Sequence, residues 1–204
     1  MADCSRAAVL NIATVKKLII TIAKLGFTGL ELYTEDTYEI TEEPYFGHLR
    51  GKYTKTEIKE LDEFSKKYDI ELIPCIQTLA HLDNIFLWPR FDEIHDIWDC
   101  LLIDNEKTYD LIDKMFKNVA ESFSSRIINI GYDEAYYAGR GAYLDKNGYI
   151  NKVDLLYKHL KKVTEIGKKY GFKCIVYSDM FFNNKVDRFS PELSRVTYIK
   201  VYIS

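Results

Sequence analysis

Four times along this chain an amphipathic helix runs into a sharp turn and then a short apolar strand, which restricts the fold to parallel βα architectures. Asn11 caps a helix whose apolar positions Ile12, Val15, Leu18, Ile19 and Ile22 recur every three or four residues. Leu25-Gly26-Phe27 ends it, and Gly29–Tyr33 continues as a strand. Thr54 and Glu57 have capping-box spacing and open a helix carrying Ile58, Leu61 and Phe64. Tyr68-Asp69-Ile70 then turns into the strand Glu71–Ile76. A third helix, from about Asp104 to Phe123, places Tyr109, Ile112, Met115, Phe116 and Val119 on one side and leads to a strand ending at Gly131. The fourth spans Lys152–Lys169, with Val153, Leu156, Leu160 and Val163, and Tyr170-Gly171-Phe172 closes it before the strand Lys173–Tyr177. A last apolar run, Val196–Ile203, follows a connection centred on Pro191.

No strand is followed by a Gly-rich phosphate loop of the GxGxxG or GxxxxGK[ST] type, which argues against a doubly wound nucleotide-binding sheet. The strand-to-helix loops 34–54, 77–103 and 132–151 are long, whereas the helix-to-strand turns are short. Barrel enzymes build their sites from loops of the first kind. The expected fold is therefore α/β, a TIM-type (β/α)8 barrel, with residues 1–204 forming one domain. Five strands follow the first helix, and Met1–Cys4 adds a stub, so about six of the eight βα units are visible. A complete barrel takes about 250 residues. The reading is thus an incomplete barrel with open edges, which an oligomer or a partner chain is expected to cover.

Composition narrows the function classes. Apolar residues make up 47% and charged residues 29%, the balance of a globular chain. A net charge of −3 gives no electrostatic reason to expect nucleic acid or an anionic membrane as partner. No apolar run reaches the length of a membrane span, and Lys16, Lys17 and Lys24 bracket Leu18–Ala23 too closely for a signal-peptide core. Cys4, Cys75, Cys100 and Cys174 form no CxxC pair and there is no glycosylation sequon; with no leader, a cytoplasmic location is expected. No metal-ligand spacing such as HExxH occurs, and neither a metal nor another cofactor is expected.

Residues 126–134, Arg-Ile-Ile-Asn-Ile-Gly-Tyr-Asp-Glu, carry the chemistry. An Ile-rich run leading through a glycine into two carboxylates has the form of a buried parallel strand ending at a catalytic rim. Asp133 and Glu134 are the candidate catalytic pair. They stand at the strand end where barrel enzymes place their acid/base groups.

Several segments in order resemble glycoside hydrolase family 20, the β-N-acetylhexosaminidases, and in particular its cytoplasmic-type branch. Asn129–Glu134 is similar to the family's fourth-strand signature, and Asp3-Cys4-Ser5-Arg6 to its first-strand motif. Leu32–Glu39 resembles the loop after the second strand, Pro74–His81 the third-strand segment, and Tyr177–Phe181 the fifth-strand end. At the sixth strand, where the branch has a tryptophan-aspartate-tyrosine segment, this chain reads Tyr198–Ser204.

The resemblance implies hydrolysis of terminal, non-reducing β-linked N-acetylhexosamine, with an N-acetylhexosaminide glycan or glycoside as partner. It implies that the substrate's 2-acetamido carbonyl attacks the anomeric carbon, Asp133 orients the acetamide, and Glu134 is the acid and then the base. Arg6 would clamp sugar hydroxyls, and His81 would polarise a site carboxylate. Asp36 and Glu35 would reach the sugar or a neighbouring loop, Tyr132 would offer a ring to the pyranose, and Asp179 would contact the acetamide pocket. Tyr136, Tyr137 and Tyr143 crowd the same loop, and Trp88 and Trp98 stand where they wall the site or pack beneath it. Two other readings stay open at this point. One is an impaired barrel that binds sugar or does nothing. The other is a metal-dependent barrel enzyme using His81, His95, Asp133, Glu134 and Asp179.

Overall fold

Each strand begins where a capped helix is stopped. A computed structural model describes residues 1–6, 8–182 and 201–203, the last three and Phe182 by their backbone alone. Strand β1, Ala2–Asp3, precedes helix α1, Ile12–Lys24, whose Asn11 cap accepts the Thr14 N–H. Strand β2, Gly29–Tyr33, leads to helix α2, Lys55–Lys66, opened by the full Thr54/Glu57 capping box. Strand β3 is Glu71–Cys75. A small antiparallel hairpin, β4 (His95–Ile97) and β5 (Cys100–Leu101), then interrupts the loop before helix α3, Glu106–Ser122. Strand β6, Ile127–Asn129, precedes the short helix α4 (Ala142–Asn147) and the long helix α5 (Lys152–Lys169). Strand β7, Lys173–Val176, is followed by one helical turn, α6 (Asp179–Phe182), and by β8, Val201–Ile203.

The main sheet has the order β1-β2-β3-β6-β7-β8, and its first five strands run parallel. Helices α1, α2, α3 and α5 pack side by side in chain order, as the outer ring of a barrel does. Their apolar stripes supply the core: Val15 and Ile19 from α1, Met115 and Phe116 from α3, and Leu156 and Val163 from α5 are buried. The fold is an incomplete (β/α) barrel, as the alternation of patterns predicts.

The last strand departs from expectation. Strand β8 pairs antiparallel with β7, with Ile175 opposite Tyr202, on the edge that a parallel neighbour takes in a closed barrel. Pro191 and Tyr198-Ile199-Lys200 lie outside the described residues.

Candidate active site

Register brings the site together. Tyr33, Cys75, Asn129 and Ile175 form one row of paired positions across β2, β3, β6 and β7. The segments just beyond that row therefore converge at one mouth: Gln77 to His81, Gly131 to Glu134, and Tyr177 to Asp179. They surround a cavity of about 500 Å³, the size of a small-ligand pocket. Asp3 and Arg6 come from the end of β1, Tyr33 from β2, and His81 from beyond β3. Asp133, Glu134 and Tyr136 enter from beyond β6, and Tyr177, Asp179 and Met180 from beyond β7.

The chain leaves β6 in an unusual way. Gly131, Tyr132 and Glu134 have φ of 80°, 81° and 53°, left-handed values that side chains rarely adopt. Gly131 is required for a second reason, because a Cβ there would lie 2.0 Å from Gln77 Oε1. The close approach lets the Gln77 amide reach forward. Its Nε2 donates to Asp133 Oδ1 at 2.8 Å and to the Tyr33 hydroxyl at 2.9 Å. His81, itself left-handed at φ 59°, sets Nε2 3.3 Å from Asp133 Oδ2 and 3.8 Å from Glu134 Oε2. These contacts suit an ion pair, although Nε2 is not aligned for a hydrogen bond. Asp99 secures the His81 backbone, accepting its N–H at 2.9 Å. The backbone N–H of Glu134 donates to Asp179 Oδ2 at 3.2 Å.

The two acids consequently differ. The Asp133 side chain is 23% exposed and that of Glu134 is 61% exposed, so one is gripped and the other projects into the mouth. Burial opposes ionisation of Asp133, but the His81 ring and the Gln77 amide outweigh it and hold the carboxyl below the usual range. Contact with Asp133 raises the His81 imidazole against the opposing effect of burial. Burial pushes Asp179 above the carboxylate range, and its Oδ1 is buried without a partner. Asp133 is thus the gripped carboxylate of the site and Glu134 the exposed one.

Arg6 lines the pocket with a 61% exposed side chain, braced at 3.3 Å by the buried Glu35. His81 and Asp179 also stand where the sequence reading put them. Two residues do not. Asp36 is buried and pairs with Arg50 of its own loop at 3.4 Å, away from the cavity lining. Tyr132 is fully buried beneath the mouth, its ring stacked on Phe181, because the left-handed turn at Gly131 directs it inward. Gln77 and Tyr33 were missed as site residues. Gln77 lies in the third-strand motif, but nothing local shows which strand its amide will meet. His95 stacks on Phe86 and contacts the Trp98 carbonyl, so it does not join His81. Among the described residues no group of three or more His, Cys, Asp or Glu could hold a metal ion.

Comparison with known proteins agrees with this geometry. The sequence model of the glycosyl hydrolase family 20 catalytic domain matches residues 19–199. Hexosaminidase D of Bos taurus is 29% identical over 126 residues, covering 57% of this chain and 35% of that protein. Hexosaminidase D of Homo sapiens is 30% identical over 126 residues, covering 57% of this chain and 25% of that protein. The chain thus spans about a third or less of these relatives' length. Among solved structures, the GH20 exo-β-N-acetylglucosaminidase from Vibrio harveyi in complex with N-acetylglucosamine superposes with a TM-score of 0.77 at 19% identity, over 94% of this chain and 38% of that one. The Streptomyces plicatus N-acetyl-β-hexosaminidase in complex with Thio-NAglucal gives 0.71 at 22% identity, over 87% and 38%. A catalytic-domain match across most of the chain, together with the shared fold, shows that the chain belongs to glycosyl hydrolase family 20.

Proposed function

We propose that this site hydrolyses terminal, non-reducing β-linked N-acetylhexosamine by substrate-assisted retaining catalysis. The observation that carries the reading is the contrast between two neighbouring acids, Asp133 held by Gln77 and His81 and Glu134 exposed at the rim. The ionised Asp133 accepts the substrate's acetamide N–H and turns its carbonyl oxygen toward the anomeric carbon. That oxygen attacks as the glycosidic C–O bond breaks, and Glu134 passes its proton to the departing oxygen. A cyclic oxazolinium ion results, its positive charge facing Asp133. Water then adds at the anomeric carbon and gives its proton to Glu134, the ring reopens, and the configuration is retained. Arg6 supplies a planar fork of donors for sugar hydroxyls on the β1 side of the pocket.

Glu134→Gln is expected to abolish turnover of an aryl N-acetyl-β-glucosaminide while inhibitor binding persists. Full activity in that variant would remove Glu134 from the mechanism.

A further inference from the structure

Next in the chain to Tyr136, which lines the mouth, and to Asp99, which holds the His81 backbone, are two aromatic side chains that the hydrolytic step does not use. Trp98 and Tyr137 are stacked nearly parallel, with ring centroids 5.1 Å apart and planes 14° from each other. Trp98 is 68% exposed and Tyr137 49%. A large apolar surface left in water in this way points to a ligand. Trp98 is also held left-handed, at φ 53°, in the β4–β5 turn, and its carbonyl meets His95 Nε2 at 2.9 Å. Backbone strain maintained by its surroundings is a mark of functional positions.

The pair is anchored to both loops of the catalytic mouth. Trp98 directly precedes Asp99, which accepts the His81 backbone N–H, and Tyr137 follows Tyr136, which lines the pocket two residues after Glu134. Asp96 of the hairpin accepts the N–H of Gly139 at 2.6 Å and that of Tyr143 at 2.8 Å, fixing one loop to the other. The platform therefore moves with the catalytic acid rather than with a mobile tip.

We propose that Trp98 and Tyr137 form a binding platform for the sugar on the leaving-group side of the cleaved bond, a reading that rests on the hydrolase assignment above. An acid catalyst faces the leaving oxygen, so the residue carrying that oxygen lies on the Glu134 side of the mouth, where Tyr136 and the stacked pair stand. The ligand class is a pyranose, whose flat apolar face and hydroxyl rim match an exposed aromatic face. The platform would make the site prefer an oligosaccharide to a simple glycoside.

The test is a binding comparison on the Glu134→Gln chain, so that bound sugar survives. N-acetylglucosamine and its β-1,4-linked dimer are titrated separately by calorimetry. The monosaccharide reaches only the pocket; the dimer extends onto the platform. The dimer is expected to bind roughly tenfold tighter, and Trp98→Ala or Tyr137→Ala to bring the ratio close to one. Trp98→Phe should keep most of the preference, which separates ring stacking from collapse of the hairpin. Equal affinities, a preference that survives both alanine variants, or no binding of either sugar would overturn the platform. Failure of the hydrolase reading looks different: the wild-type chain would leave an aryl glycoside intact while the Trp98-dependent preference remained.

Discussion

Gly131→Ala tests how the backbone positions the catalytic anion. The substitution has two costs that the structure separates. The first is conformational: an alanine at φ 80° pays about 1–2 kcal/mol for a left-handed backbone. The second is a collision, since the new Cβ would sit 2.0 Å from Gln77 Oε1 and 2.7 Å from its Cδ. A flexible amide can move aside, but moving breaks its 2.8 Å bond to Asp133, an interaction with a charged acceptor worth roughly 1.5–3 kcal/mol. The sum is about 2.5–5 kcal/mol. Urea unfolding of the single variants Gly131→Ala and Gln77→Ala and of the double variant closes a mutant cycle. With the amide already gone, Gly131→Ala should cost only its backbone share of about 1–2 kcal/mol. An equal loss in both backgrounds would refute the claim that Gln77 is what the glycine accommodates.

Protonation supplies further predictions. Asp133 is held below the ordinary carboxylate value, so its contribution to stability is complete above that value and is lost as pH falls through the lowered one. His81 is held above its ordinary value, so its contribution is complete below about 6.5 and is lost as pH rises through the raised one. His81→Gln releases Asp133 from its neighbour, and the acid limb of kcat/KM against pH should move upward; an unmoved limb would contradict the pairing. His159 is fully buried, donates from Nε2 to the Thr78 carbonyl and accepts at Nδ1 from the Tyr109 hydroxyl. Burial lowers it to about 4, so the unfolded chain takes up the proton first. Stability should therefore fall by roughly 3 kcal/mol as pH drops from 6.5 to 4, and His159→Gln should flatten that slope in unfolding titrations.

How much of this was legible in the sequence depended on whether the cause was local. The caps at Asn11 and at Thr54 with Glu57 act within three residues, and both are seen. The strand leading to Asp133 and Glu134 was legible because an Ile-rich run leaves little choice of environment. Asp36 was placed at the sugar through the likeness of its loop to the family's second-strand loop, while its partner Arg50 lies at the far end of that loop. Tyr132 was misread because the glycine before it turns the backbone, so simple alternation along the strand fails. The strands of the hairpin His95–Leu101 are too short to show a period, and the stacking of Trp98 on Tyr137 joins distant segments, which periodicity does not report.

The central claim is that the substrate supplies its own nucleophile while Asp133 holds it and Glu134 handles the proton. The most direct measurement is kcat/KM for aryl β-glucosaminides whose N-acyl group is acetyl, fluoroacetyl or trifluoroacetyl. Each fluorine weakens the carbonyl oxygen as a nucleophile, so the rate should fall steeply along the series. A flat series would mean that a protein group or water attacks instead, contradicting the account.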